Sequence, residues 1–175
     1  MEGNANAAVW VVGADRPGIV AGVTRALFDL GCNLLDAAST ILRGHFAMML
    51  MVEAPPDCDI ERMRASLNGA ARDLGISVTV SPVTDEGRAG VPPTHMVSVY
   101  GADKPGIVFR VTDLLSTAGA NITDLTSRVI GSSEEPVYAL MLEVDLPAGT
   151  EEKLAELAAE LDVDISVHPI ESDLL

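Results

Sequence analysis

Two hydrophobic rhythms alternate along this chain. Val9-Trp10-Val11-Val12 is a short β-branched and aromatic run, which predicts a strand. Ile19, Val20, Val23, Leu27 and Leu30 then recur at helical spacing, and Gly31 marks the stop. Pro17 is expected at the first helical position, where its missing N–H costs nothing. Asn33 to Leu42 and His45 to Glu53 read as the two strands of a hairpin that turns at Arg43-Gly44. Ile60 to Leu74 is a second amphipathic helix ended by Gly75, and Ile76 to Val83 is the last strand.

The same order returns in the second half. Gly13-Ala14-Asp15-Arg16-Pro17-Gly18-Ile19-Val20 recurs as Gly101-Ala102-Asp103-Lys104-Pro105-Gly106-Ile107-Val108, an offset of 101 − 13 = 88. Val23-Thr24, Leu27, Gly31, Asn33, Asp36 and Ser39 keep that register with Val111-Thr112, Leu115, Gly119, Asn121, Asp124 and Ser127. The offset then slips to 92, where Phe46-Ala47 meets Tyr138-Ala139, so the second copy carries a short insertion around Ser132 to Pro136. Glu151 to Leu161 is the second copy's second helix. A period this long fits a small complete domain rather than a solenoid repeat. The order β-α-β-β-α-β predicts an α+β protein of two tandem ferredoxin-like domains, each an antiparallel sheet with helices on one face. We expect a first domain over 1–84, a Gly- and Pro-rich linker over 85–93 and a second domain over 94–175.

In Phe46-Ala47-Met48-Met49-Leu50-Met51-Val52 both alternating sets are apolar, whereas a sheet with one wet face alternates apolar and polar. The second face, which carries Met49, Met51 and Met141, is therefore expected to be covered, within the chain or across a homodimer.

Composition narrows the function. The 175 residues are 48% hydrophobic and only 3% aromatic, with mean hydropathy +0.29, enough for aliphatic cores without staples. A net charge of −15 without a Lys/Arg cluster argues against direct binding to nucleic acid or anionic membranes. No apolar run approaches the ~20 residues of a membrane span, no export signal opens the chain, and a cytoplasmic setting is expected. Cys32 and Cys58 occupy non-equivalent places in the two copies and read as reduced thiols.

The repeated strand-to-helix loop is where chemistry is expected. Gly18 and Gly106 leave the backbone open to close approach, and the helix behind each offers free N–H groups and a positive dipole end to a carboxylate. Arg16 and Lys104 add positive charge. Asp15 and Asp103 suit an ammonium, and the Asn33 and Asn121 amides both donate and accept. The same residues also make a good helix start, with Asp as cap, Pro fixing φ and Gly allowing tight packing. Both readings stand at this level.

The pattern Gly-Ala-Asp-Arg/Lys-Pro-Gly-Ile-Val, a Val-Thr helix, Gly-x-Asn and then Asp resembles the ACT domain, an effector-binding module, over nearly the whole chain. Two such domains with nothing else attached resemble the glycine cleavage system transcriptional repressor group. That resemblance implies a small amino-acid effector, glycine or serine, a partner transcription factor, no cofactor, and a homodimer. It places ligand contacts at Asp15, Arg16, Pro17, Gly18, Ile19 and Asn33, and at Asp103, Lys104, Pro105, Gly106, Ile107 and Asn121. A detached regulatory subunit of a metabolic enzyme and an assembly-only module are the alternatives.

Catalysis finds little support. His45, His95 and His168 show no metal spacing, and Ser39 and Ser127 repeat while no histidine does, so the copies share no nucleophile–base pair. The chain reads as a binding module.

Overall fold

The computed structural model describes residues 5–83, 90–132 and 136–170. The chain divides into two compact units, 1–88 and 89–175. In the first, β1 (Ala5–Ala14) leads to α1 (Ile19–Phe28), β2 (Asn33–Leu42), β3 (His45–Ala54), α2 (Ile60–Leu74) and β4 (Ile76–Pro82). All strand pairs are antiparallel, in the order β2-β3-β1-β4. The second unit runs β5 (His95–Gly101), α3 (Ile107–Thr117), β6 (Asn121–Gly131), β7 (Pro136–Asp145), α4 (Thr150–Leu161) and β8 (Asp164–Pro169), in the order β6-β7-β5-β8. Both are βαββαβ units, as the repeat predicted.

Each core lies between the sheet and its two helices. Val9 and Val11 of β1 and Met48, Leu50 and Val52 of β3 meet Ile19, Val23 and Leu27 of α1 and Met63 and Leu67 of α2. Val97, Val99, Leu140, Leu142 and Val144 meet Ile107, Val111, Leu115, Leu154 and Leu157 in the second unit. Burial of this kind is worth about 1.5–3 kcal/mol per large aliphatic side chain. The two glycines that open the octapeptides have a packing role. A Cβ on Gly13 would stand 2.6 Å from Cγ2 of Ile76, and one on Gly101 would stand 2.6 Å from Cγ1 of Val163.

Local signals fix most element ends. Gly31 (φ 73°) and Gly119 (φ 81°) close α1 and α3 with matching bond pairs: Gly31 N–H to Phe28 O and Cys32 N–H to Leu27 O, then Gly119 N–H to Ser116 O and Ala120 N–H to Leu115 O. This is the Schellman arrangement, which satisfies carbonyls the helix leaves free. Arg43 (φ 49°) and Gly44 (φ 81°) both lie in the left-handed region, as a type I′ hairpin turn requires. A bulge between Leu34 and Asp36 recurs between Ile122 and Asp124, at the same place in each copy.

Three element ends differ from the expected positions. Helix α1 begins at Ile19, two residues after Pro17, because Pro17 and Gly18 form a turn of their own. Strand β4 stops at Pro82, and α4 begins at Thr150. On the second sheet face, Met49 and Met141 are 45% and 37% exposed. Linker residues 84–89 and insertion residues 133–135 lie outside the described residues.

Candidate functional site

Gly18 has φ 96° and ψ −8°, and Gly106 has φ 98° and ψ −10°. These angles suit the third residue of a type II turn, the position that selects Gly after Pro. Each glycine is also the N-cap of the following helix, and no side chain caps either helix. Asp15 and Asp103 are therefore not the caps that the spacing allowed. The intrahelical bonds begin with Gly22 N–H to Gly18 O, 2.8 Å, and Arg110 N–H to Gly106 O, 2.9 Å. The N–H groups of the first helical turn, starting at buried Ile19 and Ile107, face the loop with the positive end of the dipole.

Nothing lies within 4 Å of a Cβ built on Gly18 or Gly106. The glycines are thus required by backbone conformation, and the space beside them is open. In the second unit this space belongs to a recess of roughly 520 Å³ bounded by Asp103 to Phe109 and Tyr138.

The charged neighbours have structural work. Arg16 Nη2 donates to the Asp73 carbonyl, 3.1 Å, in the last turn of α2. Lys104 Nζ lies 3.5 Å from Oδ2 of Asp162, the C-cap of α4. Both cations thus clip the loop to the negative end of the second helix, where positive charge is favoured. Asp15 N–H donates to Gly44 O, 2.8 Å, tying the first loop to the hairpin tip. The carboxylates of Asp15 and Asp103 sit on exposed residues.

Asn33 and Asn121 do not join their own loops. Ala14, at the loop, pairs with His45, whereas Asn33 pairs with Glu53. These β3 positions are 53 − 45 = 8 residues apart, about 27 Å of extended strand. In the second unit Gly101 pairs with Tyr138 and Asn121 with Asp145, 145 − 138 = 7 residues apart, about 24 Å. Loop and Asn occupy opposite ends of one module, so a single amino acid cannot touch both within it. Sequence adjacency to the helix end hid this, since α1 carries the chain back down the full length of the sheet. Asn33 and Asn121 are both exposed, on β2 and β6, which are edge strands.

Sequence reading also missed a thiol pair. Burial, with the neighbouring Cys58 adding to it, pushes the Cys32 thiol up to about 11. Both cysteines are free thiols. Among the described residues no group of three or more His, Cys, Asp or Glu side chains is placed to hold a metal ion, and no helix is long and apolar enough to cross a membrane.

Two family models, both described as ACT domain, match residues 8–81 and 95–162, one to each copy of the repeat. This chain is a tandem ACT-domain protein. An uncharacterised UPF0237 protein of Methanopyrus kandleri is 41% identical over 75 residues, which are 42% of this chain and 83% of that protein. The glycine cleavage system transcriptional repressor of Escherichia coli is 25% identical over 169 residues, 93% of this chain and 88% of the repressor. The phosphoserine phosphatase SerB2 of Mycobacterium tuberculosis is 28% identical over 165 residues, 91% of this chain but 39% of that protein. Among solved structures, a protein of unknown function from Galdieria sulphuraria superposes with TM-score 0.81 at 24% identity, over 95% of this chain and 99% of that one. That likeness establishes the tandem fold.

Proposed function

We propose that this tandem ACT-domain protein is a non-catalytic cytoplasmic sensor of a small amino acid, glycine or serine, that allosterically modulates a partner transcription factor without contacting DNA. The observation that carries it is the repeated loop. Gly18 and Gly106 hold the same left-handed geometry, and each leaves an uncapped helix N-terminus facing open space. A carboxylate fits those N–H groups. Asp15 or Asp103 beside the loop offers the ammonium one acceptor, and each module's own Asn is too far away to offer another. A second copy of the chain supplies it, with Asn33 or Asn121 on its exposed edge strand brought to the loop of the first. The homodimer is thus part of the site. Similarity to the E. coli repressor supports the regulatory reading, and a net charge of −15 supports action through a protein partner. In this reading residues 85–93 join the two modules.

Glycine has five heavy atoms, and at a ceiling of about 1.5 kcal/mol per atom its affinity is moderate at best. That suits a sensor of metabolite levels. Calorimetric titration and thermal shift with the common amino acids test the reading: a rise in Tm at millimolar glycine or serine supports it, and silence across the set leaves an assembly-only module. The similarity to SerB2 favours one second reading, a regulatory partner of a metabolic enzyme. Co-purification from the host separates a transcription factor from an enzyme.

A further inference from the structure

Cys32 and Cys58 are separated by the whole of β2 and β3 in sequence, yet the fold brings their turns together: a Cβ on Gly31 would stand 3.6 Å from Cγ of Pro55, and Cys32 packs against the cluster that holds Cys58. Cys32 ends the turn after α1 and packs on the first core, of which Cys58 is a member. Their surroundings differ. Cys32 is half-buried and lines an open groove of roughly 460 Å³ with Thr24, Arg25, Phe28 and Leu34. Cys58 belongs to the core itself and is 2% exposed. One thiol is within reach of a small reagent and the other only of its neighbour.

The second module supplies an internal control. Cys32 N–H donates to Leu27 O and its counterpart Ala120 N–H to Leu115 O. Cys58 N–H donates to Pro55 O and its counterpart Thr150 N–H to Pro147 O. The two turns are the same in both modules, while both sulfurs are present in one and absent from the other. The frame therefore needs neither cysteine. The pair is a chemical addition at two sites 58 − 32 = 26 residues apart, present together or not at all.

We propose that Cys32 and Cys58 form a reversible dithiol–disulfide couple, with Cys32 as the thiol that attacks first and Cys58 as the resolving one. With a small-molecule disulfide such as oxidised glutathione as oxidant, the Cys32 thiolate attacks one sulfur of the reagent. It forms a mixed disulfide and expels one glutathione thiolate. The Cys58 thiolate then attacks the Cys32 sulfur and expels the second. The two cysteine protons end on the two glutathiones released, so one reagent disulfide is reduced for each protein disulfide formed. The new bond ties the backbone just before Asn33 to the turn that starts α2. This couple stands whether or not Asn33 meets an effector.

The test equilibrates the full chain with oxidised glutathione at mildly alkaline pH and reads intact mass, non-reducing gel mobility and peptide maps. The expected product has lost two hydrogens per chain, remains free of interchain links, contains a Cys32–Cys58 peptide and is restored by dithiothreitol. Cys58→Thr, the residue found at the matching place in the second module, should trap glutathione on Cys32 in a one-to-one adduct. Cys32→Ala, chosen likewise, should leave Cys58 unmodified in the folded chain. A stable glutathione adduct on the unsubstituted chain, a disulfide between chains, or reaction only after unfolding in urea would each overturn the proposal.

Discussion

Single residues in this protein carry conformation before they carry chemistry. Gly18 and Gly106 sit at φ 96° and 98°, a region that costs an L side chain about 1–3 kcal/mol. Gly18→Ala should therefore destabilise the first module by about 1–2 kcal/mol in urea unfolding even though nothing crowds the new methyl, and Gly18→Val by more. A loss from Gly18→Ala no larger than that of an ordinary surface substitution would mean the turn relaxes. Gly13→Ala should also destabilise, for another reason: its methyl meets Ile76, including that residue's Cα at 3.2 Å. The thiol of Cys32 adds a pH signature. Its ordinary value of 9.0 rises to about 11 in the folded chain, through burial first and the neighbouring Cys58 second, with Arg25 lining the same groove. Between those values the folded chain keeps a proton that the unfolded chain loses. Stability from this source is present below pH 9 and declines as pH rises towards 11. Cys32→Ala should flatten that part of the stability profile, as read by Tm across the range.

At the scale of elements, what was legible depended on whether a local signal had a competitor. Helix α2 spans Ile60–Leu74 as read from its apolar spacing and from Gly75 at its end, and the structure adds Asp59 as its N-cap. The Asp59 carboxylate accepts from Arg62 N–H, 2.7 Å, so Asp59→Ala should cost about 1 kcal/mol of stability, measured by chemical denaturation. The start of α1 was misplaced because Pro-Gly serves two structures. Pro17 suits a first helical turn, and it equally suits a type II turn whose next residue must be Gly. The turn wins, since Gly18 at positive φ cannot continue a helix. Hairpin β2–β3 was legible from Arg43-Gly44, but its bulge was not, because no residue type in Leu34-Leu35-Asp36 demands one. The separation of Asn33 from its own loop followed only from strand register, which needs the partner strand as well as the sequence.

The whole molecule sets the conditions for any site made by two copies. Each chain carries −15, so two chains repel at long range, and added salt should tighten their association. Partly open Met49 and Met141 on the sheet faces, and Asn33 and Asn121 on edge strands, give a second copy surfaces to meet. If the effector's carboxylate binds the loop of one chain and its ammonium the Asn of another, binding and dimerisation share one free energy. By linkage, the amino acid must then strengthen the dimer by the same factor that dimerisation strengthens its binding. Sedimentation across a dilution series should place the monomer–dimer midpoint at lower protein concentration when millimolar glycine or serine is present. The double substitution Asn33→Ala with Asn121→Ala should remove that shift while leaving the unliganded midpoint near its original place. It should also weaken binding by about 1–3 kcal/mol, the cost of leaving a charged group unpaired. An amino acid that raises Tm but leaves the midpoint unmoved binds within one copy, and the shared site is then wrong while the sensor survives.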